Sequence, residues 1–190
     1  MILALSMLSS QAMMGFWTQD GKKKLALTTW DNLSGTDLAE FVDQSFLELK
    51  AKVPSEAITR LMCVQGPGSF TGLRVSSAFM KGIGTALNIP LIGIPSFQLF
   101  GEAFAFSLRP AKAATLNLEE CFQKEFKFLE VTSDSAFRIV EKPECKKILG
   151  LKDQPLWPRQ EELERGILAC LESRSFELNY GYTPEFVLAK

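Results

Sequence analysis

Short apolar runs open the chain, and longer helical periods follow them. Met1-Ile2-Leu3-Ala4-Leu5 and Ala12 to Thr18 are apolar stretches of strand length, and Lys24 to Trp30 alternates well enough to predict a third strand. Gln19-Asp20-Gly21 joins the second to the third, and Asp-Gly between two such runs signals a hairpin. Lys22-Lys23-Lys24 at this turn reads as a solvated guard on an edge strand, with a binding patch as the other reading. Beyond Asn32-Leu33-Ser34-Gly35 the period becomes helical: Leu38, Phe41, Val42, Ser45, Phe46 and Leu49 recur on one face. Asp37 and Glu40 at its start and Lys50 and Lys52 at its end have the signs that suit a helix dipole, and Pro54 stops it. Leu61-Met62-Cys63-Val64 predicts a buried strand, which empties into Gly66–Arg74 and a helix reaching about Leu87. Asn88-Ile89-Pro90 ends that helix, and Leu91-Ile92-Gly93-Ile94 predicts the next strand. Residues 61–94 thus form a strand–helix–strand unit of the parallel α/β kind.

The second half is less regular. Ala113–Leu116, Phe126–Val131 and Phe137–Val140 are expected as strands, while the Phe122/Phe126 spacing equally allows a helix over Glu119 to Phe128. Lys142-Pro143 and Pro155-Leu156-Trp157-Pro158 are breaks. Between Pro158 and Arg174 lies a predicted helix, with Glu161, Glu162 and Glu164 near its positive end and a stripe of Leu163, Ile167, Cys170 and Leu171. Tyr182 to Leu188 is expected as a short closing segment. The region from Phe97 to Pro110 is the natural boundary, dividing the chain into an amino-terminal α/β lobe over 1–100 and a smaller α/β lobe over 101–190.

Composition narrows the chemistry. The 190 residues carry 21 basic and 22 acidic side chains, a net charge of −1, which leaves no basic footprint able to hold nucleic acid alone. There is no histidine, so serine–histidine and cysteine–histidine nucleophile systems and histidine zinc sites are excluded. Cys63, Cys121, Cys145 and Cys170 have no Cys-x-x-Cys spacing and read as buried reduced thiols. Met1 to Phe16 lacks the basic start and cleavage site of a secretory signal, and no run reaches the roughly 18 apolar residues of a membrane span. A complete cytoplasmic chain without membrane contact is therefore expected.

Two features carry candidate function. In the loop Gly66-Pro67-Gly68-Ser69-Phe70-Thr71-Gly72-Leu73-Arg74, Gly66, Gly68, Ser69, Thr71, Gly72 and Arg74 would gather backbone N–H groups at a helix start, an arrangement that holds anions. It lacks the Gly-Lys-Ser/Thr ending of a P-loop and the Gly-x-Gly-x-x-Gly of a dinucleotide fold. The other reading is a tight turn whose glycines let helix and sheet approach closely. In the following helix Leu73, Ser77, Met80, Gly84 and Leu87 fall on one line, and Val75, Phe79, Gly82, Ile83 and Ala86 on nearly the opposite one. A helix apolar on two sides has one face for something besides its own sheet. The Leu73–Leu87 line is expected to meet a partner protein, with a contact between the lobes as the alternative.

The Gly66–Arg74 run, with its apolar strand before and Ile89-Pro90-Leu91-Ile92-Gly93-Ile94-Pro95-Ser96 after, resembles the signature stretch of the TsaB (YeaZ) family. The resemblance is closest over the amino-terminal half and fades beyond about residue 110. It implies a two-lobed actin-like ATPase fold, ribonuclease H-like, here with a shortened second lobe. It further implies a non-catalytic scaffold that pairs with the larger homologue TsaD, and with a TsaE-like ATPase, to make threonylcarbamoyladenosine beside the anticodon of tRNA. Contact with tRNA would be indirect, and an exposed stripe on the helix leaves a homodimer of the isolated chain open beside the pairing with TsaD. Relatives carry Asp-Thr-Ser after the first strand where this chain has Ser6-Met7-Leu8, and Asp-Ala-Arg early in the second lobe, placed here at Thr115-Leu116-Asn117. The missing acids imply no required cofactor and at most weak ATP or ADP binding, hence a pseudoenzyme. The alternatives are an ATP-binding phosphotransferase or ATPase of the same superfamily, and a glycoprotease-like peptidase, which the absence of histidine opposes.

Overall fold

A computed structural model describes residues 1–8, 12–30, 37–53, 57–113, 115–132, 136–152, 160–173 and 176–178. The expected turn at 32–35, the stops at Pro54 and 155–158, and the closing segment 182–188 lie outside them. The first lobe is a five-stranded sheet built from β1 (Ile2–Ser6), β2 (Ala12–Trp17), β3 (Lys24–Trp30), β4 (Arg60–Gly66) and β5 (Leu91–Pro95), in the order β3-β2-β1-β4-β5. The β1–β2–β3 meander is antiparallel, and β1, β4 and β5 run parallel. Helix α1 (Asp37–Lys52) follows the meander and α2 (Phe70–Leu87) connects β4 to β5, as the periodicities predict. Gly21 adopts φ +69° at the hairpin tip, a backbone conformation that explains the Asp-Gly pair there.

The second sheet comprises β6 (Phe104–Ser107), β7 (Phe128–Val131), β8 (Phe137–Val140) and β9 (Lys147–Leu149), in the order β8-β7-β6-β9. Only β6 and β9 are parallel neighbours. Short helices α3 (Ser96–Phe100), α4 (Pro110–Ala113) and α5 (Leu118–Gln123) fill the connections. Of the expected strand at 113–116, Ala113 instead ends α4 and Thr115-Leu116 turn, because Asn117 opens α5 with a capping box closed by Glu120. The alternative helix at 119–128 forms only as far as Gln123, after which the chain enters β7. The predicted helix near the end is α6 (Gln160–Ala169).

Alternation along the strands sorts the side chains into three layers of core. On the first sheet Leu3, Leu5, Met14, Phe16, Leu61 and Cys63 face α1 and α2. The next positions along each strand, among them Ile2, Ala4, Trp17, Met62, Val64, Ile92 and Ile94, face the opposite way. These meet Phe104, Phe106, Leu129, Val131 and Leu149 of the second sheet, with Leu99, Phe100, Leu163 and Ile167 of α3 and α6 between them. The outer face of the second sheet packs Ala105, Phe128 and Ile148 under Ala113, Cys121 and Phe126. The order through the molecule is therefore α1/α2, first sheet, α3/α6, second sheet, α4/α5. The two sheets divide near residue 100, while α6, late in the chain, crosses back to β5 and α3. No described helix is long and apolar enough to cross a membrane.

Candidate functional site

The Gly66–Arg74 loop leaves the carboxyl end of β4 and wraps over the corner that follows β1. Gly66 has φ +105°, a conformation that side chains rarely take, and the Ser96 hydroxyl donates to the Pro67 carbonyl at 2.7 Å, fixing the loop to the start of α3. The Ser69 N–H donates to the Leu8 carbonyl at 2.7 Å. The Ser69 hydroxyl in turn caps α2, accepting from the Gly72 N–H at 3.3 Å, and the Leu73 N–H is bonded to the Ser69 carbonyl. Gly68 and Gly72 are buried because Leu8 and Met7 lie directly on them: a Cβ at Gly72 would overlap the Met7 carbonyl oxygen, and one at Gly68 would meet the Leu8 side chain. Thr71 and Arg74 are exposed, and the Arg74 guanidinium sits over the Phe70 ring at 5.3 Å. Of the two readings of this loop, the geometry realises the close approach of a turn.

The corner itself is hydrocarbon. Met7 and Leu8 are fully buried in the cores on either side of the first sheet, and the Ser6 hydroxyl is buried with no hydrogen-bond partner among the described residues. A magnesium-bound phosphate needs carboxylate or hydroxyl oxygens facing the ion and amides facing the anion. Among the described residues the corner offers no carboxylate, and the Ser69 and Gly72 amides bond within the chain, so these residues do not fit that group. The second lobe begins at β6, whose last residue, Ser107, is followed by Leu108-Arg109. Thr115 and Leu116 lie in the turn before α5, and Asn117 is its cap. The Ser107 hydroxyl accepts from the Arg109 N–H at 3.1 Å, and the Arg109 guanidinium lies 6.0 Å from the centre of the Phe126 ring.

The expected partner stripe on α2 needs correction. Leu73, Ser77 and Met80 are buried beneath the helix, and Gly84 is half-buried beside Leu61 and the Ile89 carbonyl; of that line only Leu87 is exposed, at 52%. The large residues of the opposite line are also covered: Val75, Phe79 and Ile83 pack against the α1 side, with the Phe46 and Phe79 rings edge-to-face at 5.8 Å, while Gly82 and Ala86 are exposed. Periodicity finds two apolar lines but does not say which meets the sheet, and α1 supplies the cover that the sequence appeared to lack. The solvent face of α2 lies between them and is made of small and polar residues, Thr71, Ala78, Gly82 and Thr85, flanked by Arg74 and Lys81. Beside it, Leu47 projects from α1 at 69% exposure.

Two charged clusters escaped the sequence reading because their members are far apart in the chain. Glu130, buried on β7, accepts from Arg138 Nε at 2.8 Å and from the Glu144 and Cys145 N–H groups at 3.0 and 2.8 Å. Burial would raise its pKa, but these donors outweigh it and hold the carboxyl below the usual range. The neighbouring Cys145 thiol is pushed up to about 12 by burial and by the Glu130 carboxylate. The second cluster centres on Lys147, whose ammonium lies 3.1 Å from Glu162, 3.4 Å from Glu102 and 4.8 Å from the centre of the Phe100 ring. Among the described residues no group of three metal-ligating side chains gathers.

Residues 37–116 match the model of the family described as TsaD, tRNA N6-adenosine threonylcarbamoyltransferase. No curated protein matches the sequence. Among solved structures, YeaZ from Pseudomonas aeruginosa aligns with a TM-score of 0.51 at 16% identity, covering 88% of this chain and 89% of that one. An uncharacterized protein with similarity to peptidase YEAZ from the same organism aligns with a TM-score of 0.50 at 15% identity, with the same coverage. The class that these likenesses show is one of fold: a YeaZ-like, two-lobed α/β fold with a shortened second lobe. Within that class, the stretch from α1 through the turn after α4 carries TsaD-family sequence.

Proposed function

We propose that this chain acts in tRNA threonylcarbamoyladenosine synthesis as a non-catalytic subunit that pairs with a TsaD-like catalytic homologue. The observation that carries the reading is the TsaD-family sequence over residues 37–116, which contains both α1 and α2. The corner at Ser6-Met7-Leu8, filled with buried hydrocarbon where relatives have an acid, supports a scaffold that requires no nucleotide. The docking face is the outer surface of α1 and α2, where Leu47 offers an apolar anchor and Ala78 and Gly82 admit close backbone approach. Gly82 has no atom within 4 Å of where a Cβ would lie, so a substitution there changes the surface without disturbing the core. Contact with tRNA falls to the partner, and in its absence the same face supports a homodimer.

Co-purification with the TsaD-like subunit tests this. The parent is expected to associate, and Leu47→Glu and Gly82→Arg are expected to lose association while keeping the parent's circular dichroism. Retention by both variants would refute the face, and absence of association by the parent would refute the pairing. Calorimetric titration of the isolated chain with MgATP is expected to give no heat; saturable heat would favour the ATPase reading.

A further inference from the structure

Helix α6 touches three parts of the molecule that a lobe rotation would separate. Against the first lobe, Gly166 lies so close that a Cβ would stand 2.7 Å from both Ile94 Cγ2 and Leu99 Cδ2. Arg165 beside it donates from Nη1 to the Leu99 and Phe100 carbonyls at 3.1 and 3.2 Å, closing the end of α3. Against the hairpin tip, Ile167, Leu168 and Leu171 lie within 3.6 Å of the Cβ position of Gly21, and Lys24 donates to the Gln160 side chain. Against the second lobe, Glu162, whose side chain is 5% exposed, pairs with Lys147 of β9. That same Lys147 ammonium covers the Phe100 ring of α3, and Phe100 stacks edge-to-face on Phe104 of β6 at 4.6 Å. The apolar layer around these contacts is one continuous core from the first sheet to the second.

We propose that α6 is a bolt that fixes the two lobes in one relative orientation, so that this chain, unlike a two-lobed enzyme that closes on its substrate, has no opening and closing motion. A rotation of the second sheet against the first would pull Lys147 from Glu162 or from Phe100 and expose the layer of which Phe100, Phe104, Leu163 and Ile167 are part. The bolt is independent of which partner, if any, the outer face of α1 and α2 meets.

Spin labels at two exposed positions on opposite sides of the molecule, Thr85→Cys on α2 and Lys124→Cys after α5, read the motion directly in a Cys145→Ser background. With the doubly labelled chain diluted into an excess of unlabelled chain, so that distances between copies drop out, pulsed dipolar spectroscopy is expected to give one narrow distance distribution, unchanged by MgATP or MgADP. A second population, or a displaced distance with nucleotide, overturns the proposal. Glu162→Gln combined with Arg165→Ala removes two of the attachments and leaves the Gly166 contact in place; the distribution is expected to broaden while far-ultraviolet circular dichroism is retained. An unchanged distribution in that variant overturns the assignment to α6. Should the double variant fail to fold, Arg165→Ala alone is read the same way.

Discussion

Two glycines on α2, ten positions apart, are expected to respond to the same substitution with opposite signs. Alanine in the middle of an exposed helix is worth about 1 kcal/mol over glycine, through the unfolded chain's lost freedom and better backbone shielding. Gly82→Ala meets nothing within 4 Å and takes this gain whole. For a chain of this size about 1 kcal/mol corresponds to a rise in Tm of roughly 2–4 °C. Gly72→Ala draws on the same preference but drives its Cβ into the Met7 carbonyl oxygen, with the Met7 carbonyl carbon at 3.2 Å and Cβ at 3.3 Å. Met7 is a fully buried backbone neighbour, and the adjacent Leu8 carbonyl is held by Ser69, so the corner does not yield as a flexible side chain would. Overpacking of this kind costs about 1–3 kcal/mol, which exceeds the propensity gain over most of that range. The hard overlap with a backbone oxygen places the cost in the upper half of that range, about 2–3 kcal/mol, so a net loss of about 1–2 kcal/mol is expected, with Tm lowered by roughly 2–8 °C. Urea unfolding followed by tryptophan fluorescence measures both variants against the parent. If Gly72→Ala equals or exceeds the parent, the loop does not serve close approach and the argument for its glycines fails.

The Ser6 hydroxyl, buried without a partner, makes Ser6→Ala neutral or stabilising by up to about 1 kcal/mol, whereas Ser6→Asp buries a carboxylate and lowers stability sharply; denaturation midpoints decide. Glu130 has a folded pKa held below its unfolded value, so its contribution is complete above the ordinary carboxylate range and is lost as pH falls from that range through the lower folded value. The stability gap between the parent and Glu130→Gln should therefore be constant from neutral pH down to about 4.5 and shrink below that, and a gap that widened in acid would contradict the cluster's geometry. Burial pushes the Cys63 thiol up to about 12, so peptide mapping after alkylation of the native protein at pH 8 should find Cys63 unmodified until denaturant is added. Rapid native labelling at Cys63 would show that β4 opens locally.

The first lobe was legible in sequence because its signals are local. Asp20-Gly21 set the hairpin, the 38–49 period set α1, and the strand–loop–helix–strand order of 61–94 set the parallel unit. What was misread there was direction: α2 has two apolar lines, and only the packed neighbours, β4 beneath and Phe46 of α1 beside, decide that Leu73 and Met80 point inward. In the second lobe the strands are three or four residues long, below the length at which a period can be recognised, so β6 and β9 went unseen and Ala113–Leu116 was misjudged. The candidate site suffered from distance along the chain. Met7 against Gly72 and Lys147 against Glu162 are juxtapositions across a folded topology that no motif announces.

The order in which the layers are laid down also has a consequence for biosynthesis. All five strands of the first sheet are complete at Pro95, but the elements that cover its inner face, Ile2, Ala4, Met62, Val64, Ile92 and Ile94, come later, and α6 begins only at Gln160. At typical translation rates of about 5–20 residues per second, a nascent chain spends roughly 3–13 s with that face uncovered. During that interval the half-made protein presents an apolar sheet to the ribosome's surroundings, and its yield in a cell depends on whatever shields the sheet until α6 emerges.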